Sequence, residues 1–492
     1  MLVQLPALAV ILPLLSAPLC LFLSRPLFAW LFSVIASGST MLVSIALLQQ
    51  VMATGTIVYE MGGWSAPWGI EYRIDHLNAY LLLIVSSIST VVLLAARTSI
   101  EKEIPQDRHT LFYVLYLLSL AGLVGVVITG DAFNVFVFLE VSSLAAYSLI
   151  ALGEDRRALW AAYQYLIMGT IGATFILIGI GLMYQMTGTL NMDDLSRRLP
   201  EVAQTRTVFA AYAFIIVGVC LKVALFPLHR WLPNAYAYAP SVVTAVLAAT
   251  STKVAVYLLI RFTFSIFGIS FSFTTVPLQT IFVILGLLGI FAASTTAIFQ
   301  KNVKHLFAYS SVAQIGYMIV GFSIGTTTGL MATLLHLFNH ALMKSALFLA
   351  LGAVMYRIGS AQLSQFQGLG RQMPFTMAAI VAGGLSLIGV PLTVGFVSKW
   401  YLVLAALENG WWPVAVLVLL GSLLAIVYVW RIVETAYFNE PPAGREAVEE
   451  APLGFLVPVW LLVTANIYFG IDTRLSVQVA QAAAQSLFGV SP

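Results

Sequence analysis

Charge is scarce in this sequence: Asp, Glu, Lys and Arg make up 9% of its 492 residues, where a soluble chain carries roughly 25%. Apolar residues reach 60% and the mean hydropathy is +0.96. No soluble core absorbs that much apolar surface, so lipid must be the main solvent. The net charge of +3 is small and scattered, with no basic run, which argues against a nucleic-acid partner. Cysteine is nearly absent. Cys20 and Cys220 fall in different apolar segments, so neither a disulfide framework nor iron–sulfur ligation is implied. Glycine is plentiful but builds no phosphate loop or dinucleotide fingerprint; Gly179 and Gly181 are two glycines in an apolar helix. The chain is therefore expected to hold no cofactor, nucleotide or metal and to contain no redox or hydrolytic site. The N-terminal MLVQLPALAVILPLL lacks the positive region of a cleaved signal peptide and reads as a retained first helix.

What the sequence has instead is membrane spans. A spanning helix needs about 20 mostly apolar residues. That window finds fourteen segments, near 3–24, 27–50, 74–96, 110–129, 132–152, 159–187, 207–226, 240–267, 276–299, 304–324, 328–356, 374–407, 411–437 and 452–470. The fold class is all-α and polytopic, one transmembrane domain over 1–492 with no soluble domain. Two segments carry breakers: Pro227 and Pro233 after Lys222, and Gly389, Pro391 and Gly395 before Lys399. A proline inside a helix removes a backbone hydrogen bond, and the freed carbonyl is tolerated in a membrane only where protein or a wet cavity covers it. Alternate loops hold thirteen and six basic residues, which by the positive-inside rule puts both termini on the non-cytoplasmic side of a bacterial inner membrane. The loop 188–207 is charged and reads as a short surface helix with Asn191 as its cap.

Four basic residues lie inside apolar segments: Lys222, Lys253, Lys344 and Lys399, with Glu140 as the clearest acidic counterpart. Each costs around 2.5–3.5 kcal/mol near the bilayer centre on insertion scales, and the five together on the order of 12–17 kcal/mol if unpaired. Total stabilities are of similar size, so these charges must be paired, hydrated or neutral. Glu140 and Lys222 read either as a static bridge between two helices or as a balanced pair that loses its attraction when a proton or cation arrives. Buried bridges are weak stabilisers, which favours the second reading. His336, His340 and Lys344 recur every four residues in LLHLFNHALMKSALF and form one polar stripe. One histidine alone would be an ordinary satisfied core group; three titratable groups on a stripe suit a proton relay. Two histidines at i, i+4 also permit a metal, but no carboxylate joins them. Lys253 follows Thr250, Ser251 and Thr252, a patch suited to ordered water. Lys399, eight residues after Pro391, is placed to end the relay. His229 beside Pro227 belongs either to the pathway or to a loop, and Asp131 reads as a helix N-terminal charge.

These residues carry a family likeness. TGDAFNVFVFLEVSSLAAYSLIALG, LKVALFPLHRWLPNAYAYAPS, QKNVKHLFAYSSVAQIGYM, HLFNHALMKSALFLALG and GVPLTVGFVSKW resemble the antiporter-like membrane subunits shared by Mrp-type cation/proton antiporters, complex I and membrane-bound hydrogenases, the D type of the Mrp antiporters among them. The resemblance runs along nearly the whole chain. It implies fourteen core helices in two inverted five-helix repeats, about 110–267 and 276–437, with broken seventh and twelfth helices. It also implies a functional Glu140–Lys222 pair, Lys253 on the eighth helix, His336, His340 and Lys344 on the eleventh, and Lys399 on the twelfth. No long lateral helix after residue 470 is expected. The function expected is proton translocation along Glu140, Lys222, Lys253, His336, His340, Lys344 and Lys399, within a hetero-oligomer of membrane subunits in lipid, coupled to Na+ (or K+). The rival within the same likeness is a proton-pumping subunit of an oxidoreductase or hydrogenase. A carrier for an organic solute would instead need a ligand-sized midplane cavity.

Overall fold

A computed structural model describes residues 4–23 and 25–489 of the chain. The first helices are α1 (Leu5–Leu19) and α2 (Pro26–Thr54), then a hairpin of β1 (Ile57–Glu60) and β2 (Glu71–Ile74). α3 (His76–Glu103), α4 (His109–Ile128), α5 (Ala132–Ala151) and α6 (Arg156–Thr187) follow. Next come α7 (Met192–Val202), α8 (Arg206–Val223), α9 (Trp231–Tyr238), α10 (Ser241–Ala249) and α11 (Ser251–Ile260). The rest is α12 (Leu278–Ile298), α13 (Val303–Ile324), α14 (Thr327–Ile358), α15 (Leu369–Gln372), α16 (Pro374–Ile388), α17 (Val394–Glu408), α18 (Trp412–Tyr437), α19 (Leu453–Ile471) and α20 (Arg474–Leu487).

Among the described residues, thirteen segments are long and apolar enough to cross a membrane. α16 and α17, of 15 residues each, share the remaining expected segment, 374–407, between them. The chain is a multi-pass membrane protein. Residues 3 and 24, at the ends of the first expected segment, lie outside the described residues. α14 runs through the middle of the bundle: almost every side chain from Gly329 to Val354 is buried, because α3, α10, α13, α16, α17, α19 and α20 all pack on it. α18 and α19 bury only about a third of their residues and turn Leu, Val and Trp side chains outward, as lipid-facing helices do.

Helix ends follow local chemistry. Asp75 caps α3 by accepting from the Asn78 amide (3.0 Å), and Asn78 returns the bond to the Asp75 amide (3.1 Å). Asp131 caps α5 in the same way through Asn134 (2.8 Å). Asn191 caps α7 through Asp194 (3.0 Å), so the charged loop holds the short helix its sequence foretold. The hairpin was not foreseen. Its four-residue strands pair Ile57 with Ile74 and Glu60 with Glu71. It closes one end of the bundle together with α7: the Gly130 amide donates to the Glu71 carbonyl, the Met192 amide to the Gly130 carbonyl, and Arg73 lies 3.6 Å from Asp193.

Two residues counted as loop charges are in fact buried. Arg261 lies at the end of α11 against Asp75, and Lys304 near the start of α13, 3.7 Å from Glu103. Setting one aside from each side leaves the basic bias at twelve against five, so its direction stands.

α6 and α8 cross through glycines. A Cβ on Gly218 would lie 2.5 Å from the Gly172 carbonyl oxygen, a backbone atom that cannot swing away. Small residues at such crossings let membrane helices approach closely, and this one brings α8, with Lys222, against its neighbours. Gly218→Val is expected to cost about 1–3 kcal/mol as an overpacked contact and to lower the melting temperature of the detergent-purified protein. Ala213→Val, on the exposed face of the same helix, is expected to leave it within a degree or two. Equal melting curves for the two variants would show that the crossing tolerates separation.

Candidate functional site

Three of the buried lysines, Lys222, Lys253 and Lys399, are found at interruptions of their helices. α8 ends at Val223, one residue after Lys222, and Ala224 takes a left-handed φ of 60°. The chain turns through Pro227 and resumes as α9 at Trp231. At the break the Leu225 amide turns to the Cys220 carbonyl, and the Leu221 carbonyl so released accepts instead from the Ala224 amide (3.3 Å) and the Trp231 indole (3.0 Å). The Lys222 ammonium donates to the Ser143 hydroxyl (2.8 Å) and contacts the Tyr147 hydroxyl (3.4 Å). Its distance to Glu140 Oε1 is 3.8 Å, too long for a hydrogen bond, and that oxygen has no other partner. At such a separation and an effective dielectric of about 20, the attraction is about 4 kcal/mol. Inserting the two charges costs roughly 5–7 kcal/mol. Attraction and desolvation are of comparable size, so a small local change decides whether the pair holds. Glu140 also retains 24% side-chain exposure on the flank of the chain, against 4% for Lys222.

The segment 240–267, expected as one helix, is interrupted as well. Thr250 (φ −121°, ψ −56°) separates α10 from α11. Lys253 donates to the carbonyl of Ala248, at the end of α10, and lies 3.4 Å from the Thr252 hydroxyl. It is fully buried, as are Lys344 and His340. α11 packs on α8 and α10 on α14, so Lys253 stands between the first pair and the histidine stripe.

On α14 the rings of His336 and His340 lie parallel, 6.2 Å apart. His336 Nδ1 is 2.9 Å from the Ser398 hydroxyl, while its Nε2 and both nitrogens of His340 have no protein partner. Lys344 donates to the Phe307 carbonyl (2.8 Å) and to the Ser310 hydroxyl. Buried polar atoms without protein partners are the positions ordered water takes in a polar site. Gln314, buried on α13 with both amide atoms unpartnered, and the Tyr428 hydroxyl add to this set.

Lys399 shows the use of a break most directly. α16 ends at Ile388, and the ammonium of Lys399 on α17 reaches back to the carbonyls of Leu387 (2.8 Å) and Ile388 (2.9 Å). These are C-terminal carbonyls, where a cation is favoured. The same ammonium lies over the Tyr317 ring, 4.8 Å from its centre, and Tyr317 packs beside His336. Gly389 makes this possible in two ways: it holds φ 91°, and a Cβ there would stand 2.9 Å from Lys399 Cδ.

The structure thus pairs Glu140 with Lys222, stacks His336 on His340, and joins the stripe to Lys399 through Tyr317 and Ser398. Direct hydrogen bonds do not link Lys222 to Lys253 or Lys253 to the stripe among the described residues. His229, half-buried in the turn between α8 and α9, stacks on Phe226 at 5.3 Å with Nδ1 unpartnered. Sequence reasoning passed over Ser143 and Tyr147, although their spacing from Glu140 (i+3, i+7) puts all three on one face of α5. Ser310, Gln314 and Tyr317 were also within reach, since they lie in the quoted motif QKNVKHLFAYSSVAQIGYM.

Residues 129–425, which include all of these groups except Tyr428, match the family described as NADH:quinone oxidoreductase/Mrp antiporter, TM. The chain belongs to that family. It is 40% identical to the N subunit of an NADH-quinone oxidoreductase from Desulforudis audaxviator, over 95% of this chain and 96% of the relative. It is 30% identical to the D subunit of a Na(+)/H(+) antiporter from Bacillus subtilis, over 97% and 96%. Among solved structures it superposes on a chain of the Mrp complex from a Dietzia species with a TM-score of 0.90, at 25% identity over 99% of this chain and 97% of that one. It superposes equally fully on a chain of an archaeal membrane-bound sulfane sulfur reductase, with a TM-score of 0.88 and 32% identity over 98% of each.

Gly389→Ala should strain the left-handed turn by about 1–2 kcal/mol and push Lys399 off the α16 carbonyls. The expected outcome is a transport rate reduced at least fivefold in reconstituted vesicles, with the amount of assembled protein little changed. A wild-type rate would show that Lys399 does not need this seat.

Proposed function

We propose that the chain conducts protons through the middle of the membrane as the antiporter-like subunit of a multisubunit Mrp-type cation/proton antiporter. The route runs Glu140, Lys222, Lys253, His336, His340, Lys344, Lys399. The observation that carries this reading is the placement of three buried lysines, Lys222, Lys253 and Lys399, at breaks in their helices. There an ammonium can exchange its oxygen partner without leaving the bundle, whereas a lysine pinned in a static bridge would need no break. Water at the unpartnered atoms of His340, Gln314 and Tyr428 would carry the proton across the gaps between the titratable groups.

The two halves of the route support an internal repeat over about 110–267 and 276–437. Each half contains a helix broken beside a lysine, α8–α9 in the first and α16–α17 in the second. Glu140, partly exposed on the flank, is placed to sense a neighbouring membrane subunit. The basic bias of one set of loops puts both termini outside the cytoplasm of a bacterial inner membrane.

A second reading is favoured by the 40% identity to an oxidoreductase subunit: the same route driven by electron transfer in neighbouring subunits. It uses the same residues, and copurification of the native assembly with iron–sulfur and flavin subunits, or without them, separates the two.

The route itself is tested by reconstituting the native complex and following cation-driven acidification or alkalinisation of the vesicle lumen. Glu140→Ala and Lys222→Ala are each expected to reduce the rate at least tenfold while the complex still assembles. Wild-type transport in both variants would remove the pathway.

A further inference from the structure

Lys253, Tyr257 and Arg261 recur at intervals of four residues, so they share one face of α11. Four residues advance about 6 Å along a helix, and Arg261 therefore stands about 12 Å beyond Lys253, at the end of the bundle closed by the hairpin and α7. There its guanidinium grips both carboxylate oxygens of Asp75, at 2.8 and 3.0 Å, and donates to Asn78 Oδ1 (2.8 Å) and the Ser265 hydroxyl (3.1 Å). Asn78 in turn donates to the Tyr257 hydroxyl (3.0 Å), and that hydroxyl donates to the Val127 carbonyl (3.0 Å). A continuous set of hydrogen bonds thus joins Asp75 to a tyrosine one helical turn from Lys253.

A cavity of about 370 Å³ opens over this network. Asp75, Asn78, Arg261 and Ser265 form its inner wall, and Arg73, Asp193 and Ser196 stand toward the hairpin and α7. Gly130 of the same wall packs against Glu71, which is buried with one carboxylate oxygen unpartnered. The charged groups around Asp75 are therefore Arg261, Arg73, Asp193 and Glu71, and none belongs to the central route.

We propose that this cavity is an outlet branching from the proton route at Lys253, ahead of the histidine stripe and Lys399, and that the Asp75–Arg261 pair is its gate. The proposal rests on the central pathway and on the orientation set by the loop charges, which makes this the non-cytoplasmic end. A proton leaving the Lys253 ammonium is carried by water past the Tyr257 hydroxyl, whose own hydrogen stays on the Val127 carbonyl, to the Asp75 carboxylate, and from there to water in the cavity. Nothing is oxidised or reduced. While Arg261 is bound, Asp75 does not take a proton: burial pushes its carboxyl up, but the guanidinium and the amides of Asn78 and Leu77 outweigh it and hold it below the usual carboxylate range. External protons are thus kept out. Positive charge arriving along α11 repels the guanidinium, frees a carboxylate oxygen and lets Asp75 accept from the inner side only.

The test uses the native complex in proteoliposomes. Asp75→Asn keeps a good helix cap for α3 and removes the titratable group. It is expected to slow cation-driven proton movement at least tenfold in complex that still assembles, at a lowered melting temperature because the buried Arg261 loses its carboxylate partner, and Asp75→Glu to restore a measurable part of the rate. In a second arm, Ser196→Cys is labelled from outside with a cationic, membrane-impermeant methanethiosulfonate. The native Cys20 and Cys220 are buried, so labelling should slow transport several-fold only in the variant. A wild-type rate in Asp75→Asn overturns the outlet, and so does complete labelling of Ser196→Cys without effect. If Asp75→Asn does not assemble, the labelling arm decides alone. Should Glu140→Ala and Lys222→Ala abolish transport while both of these arms leave it intact, the central route stands and the outlet lies elsewhere.

Discussion

An ammonium group inside a membrane bundle must find oxygen, and an unbroken helix has little to offer, because each carbonyl already accepts from an amide four residues on and has only a second lone pair to spare. Everything distinctive in this chain follows from that shortage. The helix breaks at Ala224, Thr250 and Gly389 release carbonyls in the middle of the membrane, and Lys253 and Lys399 bind those carbonyls directly. Lys222 uses hydroxyls instead, since the Trp231 indole has taken a carbonyl freed at its own break. Lys344 sits in an unbroken helix and relies on the neighbouring α13 for a hydroxyl and a carbonyl. Four lysines thus have three kinds of seat, each neutral and each exchangeable for water.

Among the described residues, neutral seats leave only one of these four lysines, Lys222, beside a carboxylate. Glu140 is the sole acidic residue the sequence places deep in an apolar segment opposite them, and its oxygen stands 3.8 Å from Lys222 without a closer partner. A tight bidentate bridge would fix the charge. A loose one, partly open to the flank, leaves the contact free to break.

Much of the fold was legible because lipid enforces a simple rule of length and apolarity, and all fourteen segments are recovered as helix, two of them, 240–267 and 374–407, in separate pieces. The breaks at 224–230 and 389–393 were legible through proline and glycine. The interruption at Thr250 was not, since Thr and Ser are common in membrane helices and neither Pro nor Gly marks the spot. The hairpin was missed because its strands are only four residues long and flanked by glycines and tryptophans that read as loop. Arg261 and Lys304 read as loop charges because apolar windows cannot register a partner such as Asp75 or Glu103 distant in the sequence. Site residues stood out wherever charge interrupted apolarity. Their hydroxyl partners, Ser143, Tyr147, Ser310 and Ser398, did not, because such residues are ordinary in composition and gain meaning only from the helix they face.

Ser398 and Lys399 are consecutive residues on α17, one holding His336 and the other the end of α16. α17 is joined to α16 by only residues 389–393, two of which, Gly389 and Leu392, have positive φ. The half-helix therefore behaves as a lever with two contacts on one arm. A rotation that loosens the ammonium from its carbonyls also shifts the hydroxyl that sets which nitrogen of His336 carries hydrogen. His336 and Lys399 are thus tied to one short half-helix, and a partner contacting the outer face of α17, where Trp400 is exposed, would act on both contacts together.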